Sequence, residues 1–197
     1  MNIKKQTSTT NTSTRRVPIK YLAIHYTAGT TSKKGAALST AKYFAKPKTG
    51  ASADFIVDDV DAVQYNPDPI HRYCWAVGTK NGPRKTKAGA TLYGKATNSN
   101  TISIEICSTL KSGYVYKETS ANSPGWYFTD AVLNNAVELT KYLMKTYNIP
   151  PERVIRHYDV TGKFCPGVVG WNEDTGSTWQ WKKFKSRIST PEINETK

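Results

Sequence analysis

The sequence predicts an α/β protein built on a mixed central β-sheet flanked by α-helices. Three observations carry that reading. Two short runs, Val17 to Tyr26 and Thr101 to Cys107, are dense in β-branched, aliphatic and aromatic residues and read as strands. Between them lies a hairpin signature, with Phe55, Ile56 and Val57 at the centre of one strand, Asp58 to Asp61 as the turn and Ala62 to Tyr65 as the partner. After them comes an amphipathic stretch in which Val132, Ala136, Leu139, Leu143 and Tyr147 recur at helical spacing.

The chain opens with Lys4, Lys5 and the polar run QTSTTNTSTRR. It never reaches an apolar segment, so no conventional signal peptide is expected; residues 1–16 read as a disordered basic tail. Val17 to Tyr26, with Pro18 at its entry, is apolar nearly throughout and predicts a central strand covered on both faces. His25 falls at its C-terminal end, where sites are commonly built in such sheets. TAGTTSKKG is a loop, and Ala36 to Lys46 fits a short helix with Ala37, Ala41 and Phe44 or Ala45 on one side, ended by Pro47 and Gly50.

After the hairpin, residues 66–100 are rich in Pro, Gly, Lys and Asn, and only Tyr73 to Val77 looks strand-like. An irregular segment of that length inside a domain reads as a binding loop. In TISIEIC the isoleucines Ile102, Ile104 and Ile106 point one way and Glu105 the other. A glutamate there needs a partner unless its face is wet. Residues 109–125 are polar and carry turn residues. Thr129 is the expected N-cap of the long helix, with Asp130 in the first turn to suit the helix dipole. Asn148 to Pro151 ends that helix, and Arg153 to Arg156 is a short strand leading into RHYDVTGKFCPG. The glycines and proline of this last stretch, Arg156 to Gly167, predict a loop. Residues 171–181 read as irregular and aromatic, Trp179 to Ile188 as a last short helix, and residues 189–197 as a tail or linker stub, which puts the domain at residues 17–188.

Composition narrows the partners. The formal net charge is +13, and the stretch from Pro69 to Ile104 has no acidic residue while carrying Arg72, Lys80, Arg84, Lys85, Lys87 and Lys95. Such a surplus suits a polyanion: nucleic acid, anionic lipid headgroups or the anionic polymers of a bacterial wall. No nucleic-acid-binding motif supports the first, and no run of 18 apolar residues supports a membrane span. The three cysteines, Cys74, Cys107 and Cys165, are widely spaced and odd in number, which argues against a disulfide framework and for synthesis in a reducing compartment.

His25, His157 and Cys165 are three ligands of the types zinc prefers. Catalytic zinc keeps three protein ligands and an open fourth position; structural zinc would need a fourth ligand, for which His71, Cys74 and Cys107 are the candidates. For hydrolysis, Glu105 is placed to carry a proton and Lys163 to stabilise an oxyanion. A thiol hydrolase with Cys107 or Cys165 as nucleophile and His157 as base is a rival reading.

Three segments, IHYTAG at Ile24 to Gly29, SIEIC at Ser103 to Cys107, and RHYDVTGKFCPG, resemble in order and spacing the signature segments of the zinc-dependent N-acetylmuramoyl-L-alanine amidases of type 2, which include phage endolysins, bacterial autolysins and peptidoglycan recognition proteins. The resemblance covers roughly Val17 to Ile188. It implies His25, His157 and Cys165 as zinc ligands, Glu105 as the acidic residue assisting the attacking water, and Lys163 as oxyanion stabiliser. It implies cleavage of the amide between N-acetylmuramic acid and L-alanine of the stem peptide, on a mixed sheet with helices on its faces. The partner it implies is peptidoglycan, with anionic wall polymers a further class that the charge suits; nucleic acid and membrane insertion are not expected, and a monomer is. The implied location is the cell wall, reached after synthesis in the bacterial cytoplasm without a signal peptide, as for an endolysin. Two departures stand out. Several members carry a tyrosine followed by a histidine where this chain has Ala53 and Asp54, and many carry a histidine where it has Ala76. A binding module of the same fold that holds peptidoglycan without cutting it is the alternative, against which Cys165 argues.

Overall fold

The structure, a computed structural model, describes residues 2–172 and 178–190. In chain order its elements are β1 (Ile3–Lys5), β2 (Thr12–Thr14), β3 (Tyr21–Tyr26), α1 (Ala36–Phe44), β4 (Phe55–Val57), β5 (Ala62–Gln64), β6 (Arg72–Cys74), β7 (Thr101–Ile106), β8 (Thr109–Leu110), β9 (Trp126–Tyr127), α2 (Asp130–Tyr147), β10 (Val154–Arg156), α3 (His157–Thr161) and α4 (Trp179–Ser189). A six-stranded sheet runs β1-β5-β4-β7-β3-β10. Its pairs are parallel except for the β4–β5 hairpin, so the sheet is mixed, as the sequence predicts.

The two-residue period of the strands sorts their side chains onto two faces. On one face Leu22, Ile24, Phe55, Val57, Ile102, Ile104 and Ile106 meet Val132, Ala136, Leu139 and Leu143 of α2, with Phe184 and Ile188 of α4 and Trp171 alongside. On the other, Ile56 and Val63 pack under Ala37, Ala41 and Phe44 of α1, while Ala23 and Ile155 are covered by Val77, Ala96 and Val160. The helix ends follow the sequence. Thr129 Oγ1 accepts the Val132 N–H at 3.1 Å, and Asn148 takes the left-handed conformation at the C-cap. Asp58 holds the start of α1, its Oδ2 accepting the Gly35 and Ala37 N–H groups at 2.9 and 3.0 Å while Oδ1 accepts those of Val60 and Asp61 in the hairpin turn. No helix among the described residues is long and apolar enough to cross a membrane.

Three expectations are corrected. The disordered tail at residues 1–16 is instead part of the fold. β1 extends the sheet edge in parallel with β5, and β2 pairs antiparallel with β6. Buried Arg15 donates from Nε to the Pro69 carbonyl at 2.9 Å, from Nη2 to that of Thr101 at 3.0 Å and from Nη1 to that of Ser99. Asn11 Nδ2 bonds the Phe44 carbonyl at 2.9 Å. The segment is held by backbone ladders and polar side chains, which carry no apolar period for the sequence to display. The strand beginning at Val17 also starts later, at Tyr21, with Val17 exposed. At the other end Ser189 closes α4, so the helix runs one residue into the expected tail; residues 173–177 and 191–197 lie outside the described residues.

Arg15 also faces buried Asp54, whose Oδ2 accepts the Ser103 N–H at 2.8 Å and whose Oδ1 accepts Asn66 Nδ2 at 2.6 Å. Burial pushes the Asp54 carboxyl up, and Ser103, Asn66 and Arg15 oppose that shift. Arg15→Ala takes a donor from four carbonyl oxygens, those of Pro69, Arg72, Ser99 and Thr101, and removes the counter-charge, so it is expected to lower unfolding free energy by about 2–4 kcal/mol in urea titrations. A loss under about 0.5 kcal/mol, the range of ordinary surface changes, would show that residues 2–16 are dispensable to the fold.

Candidate active site

The parallel strands β3, β7 and β10 end at the same edge of the sheet. His25 lies one residue before the end of β3, and its register partner on β7 is Glu105. β10 pairs with β3 and delivers His157 as the residue directly after it. Alternation puts His25 and Glu105 on the face away from α2.

The stretch after β10 was expected to be a loop, and its first five residues are a helical turn, α3. Arg156 and Asp159 explain this. Asp159 Oδ2 accepts the Arg156 backbone N–H at 2.7 Å and its Nε at 3.1 Å, and Oδ1 accepts Nη2 at 2.6 Å. The pair caps the turn that begins with His157. Gly162 then ends α3 at φ +77°, where a Cβ would come within 2.4 Å of Thr86 Cγ2, so both conformation and space require glycine. The chain folds back, the Tyr158 N–H bonds the Cys165 carbonyl at 3.0 Å, and Cys165 Sγ comes to 3.6 Å from His25 Nδ1.

His25, His157 and Cys165 are thereby brought together, each buried, with one ligand atom from each within 4.8 Å of the others. The two imidazoles meet edge to face, centroids 4.9 Å apart. Ligand atoms around one tetrahedral ion stand about 3.5 Å apart, close to the observed Sγ–Nδ1 distance. Buried His157 Nδ1 has no hydrogen-bond partner, and His25 Nδ1 meets only Cys165 Sγ. A buried ring nitrogen without a partner is uncommon, and this one sits in a set of two imidazoles and a thiol. The residues fit a metal ion, and their softness suits zinc.

The electrostatics agree. Burial, with the charges of His157 and Lys163 also opposing protonation, holds His25 well below the ordinary histidine range, and burial with Lys163 lowers His157 to about 3. Both rings are neutral at physiological pH, the form that ligates. Burial pushes the Cys165 thiol up to about 12, with Glu105 adding to the shift, so a thiolate there requires a cation beside it. Glu105 is half-buried as a residue, but its Oε2 is buried with no partner. Burial raises its carboxyl to about 8, and the Lys163 charge pulls the other way.

The remaining candidates lie elsewhere. His71 is exposed and pairs with Asp68 at 2.7 Å. Cys74 and Cys107 are buried in the apolar cluster under α1, and burial raises both thiols. Neither joins the His25 cluster, which leaves no structural fourth ligand among the described residues and disfavours Cys107 as a nucleophile. Ala53 is fully buried, and Asp54 is engaged by Ser103, Asn66 and Arg15, so neither replaces the tyrosine and histidine of other sequences.

Sequence reasoning passed over several supporting residues. Arg156 and Asp159 were legible only as an i,i+3 pair of opposite charge. Asn98 gave no signal, yet its Oδ1 accepts the N–H groups of Ala76, Val77 and Gly78 at 3.0, 2.8 and 2.9 Å. That fixes one wall of a cleft whose opposite side is His157, Thr161 and Lys163. The irregular basic segment therefore borders the site, and Ala76 lies in that wall.

Comparisons with known proteins agree with this architecture. Residues 15–168 match the family described as N-acetylmuramoyl-L-alanine amidase. The chain is 35% identical over 155 residues to N-acetylmuramoyl-L-alanine amidase CwlH of Bacillus subtilis (strain 168), covering 77% of this chain and 50% of that one. It is 26% identical over 201 residues to N-acetylmuramoyl-L-alanine amidase CwlL of Bacillus licheniformis, covering 99% and 49%. The chain thus spans about half the length of these curated relatives. Its fold superposes on the structure of PlyL with a TM-score of 0.66 at 26% identity, covering 98% of this chain and 100% of that one. With the family match extending over most of the chain, from Arg15 through the Cys165 turn, the protein belongs to the N-acetylmuramoyl-L-alanine amidase family.

Proposed function

We propose that this chain is a zinc-dependent peptidoglycan hydrolase that cleaves the amide between N-acetylmuramic acid and L-alanine of the stem peptide, acting at the bacterial cell wall. The observation that carries the reading is the buried His25, His157 and Cys165 cluster beside Glu105 and Lys163, in a chain of this family. The two neutral imidazoles and the thiolate hold the ion. Bound there, zinc supplies a Lewis acid for the scissile carbonyl and lowers the pKa of water. Glu105, protonated by burial alone, would ionise beside a bound cation, accept the proton of the attacking water and pass it to the departing amine. Lys163 faces the oxygen on which negative charge develops. With no tyrosine at Ala53, Glu105 carries the proton transfer unaided by that position. A module that only binds peptidoglycan would leave the ligand set and the partnerless glutamate without a task.

Chelation is expected to abolish release of new L-alanine amino termini from purified walls, followed by mass spectrometry, and zinc to restore it at one ion per chain. Wild-type rates in a metal-free Cys165→Ser variant would sink the reading. Glu105→Gln is expected to keep its zinc and lose about a hundredfold or more in kcat. Loss of zinc along with activity would assign Glu105 to the metal instead.

Stability of the chelated protein carries a further signature. The Glu105 carboxyl titrates near 8 folded against 4.5 as its ordinary value, so the folded state holds the extra proton between those limits. Its contribution is therefore full below about pH 4.5 and is lost as pH rises toward 8. Glu105→Gln removes that loss, so the variant should gain stability relative to the parent as pH rises from 5 to 8 in urea titrations with chelator. Parallel curves would mean that Glu105 is not held neutral by burial.

A further inference from the structure

Two clefts flank the turn that carries Lys163. One is walled by Ala76 to Thr79 and floored by His157 and Thr161; the other is lined by Tyr26, Thr86, Ala121 and Phe164. The residues common to both are Lys85 and Lys163. Lys85 thus stands where the clefts join, across from the residue proposed to face the scissile carbonyl.

Its position is built. The Lys85 N–H donates to the Thr161 carbonyl at 2.8 Å, stitching the basic segment to the end of α3. Gly162 lets Thr86 approach to a distance that no side chain there would allow. On the outer side, Tyr93 Oη donates to the Gly82 carbonyl at 2.7 Å, Arg84 lies over the Tyr93 ring at 5.2 Å, and the Leu92 N–H bonds the Asp159 carbonyl at 2.8 Å. The segment is a braced wall of the site.

Its charge is uncompensated. No acidic residue occurs between Pro69 and Ile104. Neither Lys85 nor Lys163 makes an ion pair among the described residues, whereas Lys4 and Arg156 do. Burial raises the Glu105 carboxyl to about 8, and Lys163 is the cation whose charge opposes that rise. A substrate chain lying through both clefts passes between these cations, and an anionic group on it meets a positive charge that the protein itself does not neutralise.

We propose that Lys85 is a specificity-determining residue, whose ammonium group receives a carboxylate on the peptide portion of the substrate where the two clefts meet. This rests on the amidase reading above and adds a preference for peptides that keep that carboxylate free. The contact is at a solvent-accessible rim, so it acts on binding more than on turnover.

The test uses the full chain with zinc and soluble muramyl peptides made in pairs, each pair differing only in one peptide carboxylate converted to its carboxamide. For one pair the parent should show a KM about tenfold lower for the free acid. Lys85→Met should bring the two KM values within about twofold of each other while kcat on the acid changes less than about threefold, and Lys85→Arg should restore most of the preference. A parent indifferent to every amidation overturns the proposal. So does a Lys85→Met variant that raises KM equally for acid and amide, or one that weakens binding only to whole walls bearing phosphate polymers. A parent that cleaves no muramyl peptide overturns the amidase reading itself, a result separable from the others because it appears before any variant is made.

Discussion

Six register pairs hold Tyr21–Tyr26 beside Thr101–Ile106 in parallel, and that register decides where the candidate site sits. It places His25 next to Glu105, and it turns both away from the isoleucines that seal the opposite face against α2. A slip of one residue would send Glu105 into the apolar core and an isoleucine into the site. The register is therefore secured by the same burial that makes the core: Ile102, Ile104 and Ile106 are fully buried, as are Leu22 and Ile24. β10, paired in parallel on the far side of β3, extends the arrangement by bringing His157 to the same edge. Three separated pieces of sequence meet there because three parallel strands end there.

What the register brings together, burial then holds in neutral form. A low-dielectric pocket favours neutral imidazole over imidazolium and carboxylic acid over carboxylate. Each group in the pocket is consequently poised for a partner that the protein does not supply: His157 with an open Nδ1, His25 with an Nδ1 that meets only Cys165 Sγ, Cys165 with a buried thiol, Glu105 with an unpaired oxygen. Arg156 and Asp159 cap the turn that begins with His157, and the close approach of Gly162 to Thr86 sets the turn that returns Cys165 to His25. These residues do no chemistry, yet the cluster depends on them.

Much of this was legible in the sequence, for physical reasons that differ by element. The strands at β3 and β7 declared themselves because β-branched runs have few other uses, and α2 because its apolar residues keep helical period and its cap is Thr129. The grouping of His25, His157 and Cys165 was legible because imidazole, thiol and ammonium at fixed spacing in a short segment have a narrow range of tasks. The N-terminal segment was not legible, because β1 and β2 are held by backbone pairing and by Arg15, which reads in sequence as solvated charge. α3 was hidden for a similar reason: a five-residue turn capped by Arg156 and Asp159 has no period to detect. Asn98 bonds three successive backbone N–H groups of the cleft wall, a role that only the folded chain reveals.

The central claim is that His25, His157 and Cys165 hold one zinc ion. X-ray absorption at the zinc edge, on protein loaded with a single equivalent, tests it directly. The account predicts one sulfur at about 2.3 Å and nitrogen at about 2.0–2.1 Å, with the sulfur lost in Cys165→Ser. A shell without sulfur, or one whose sulfur survives that substitution and disappears with Cys74 or Cys107, would contradict it.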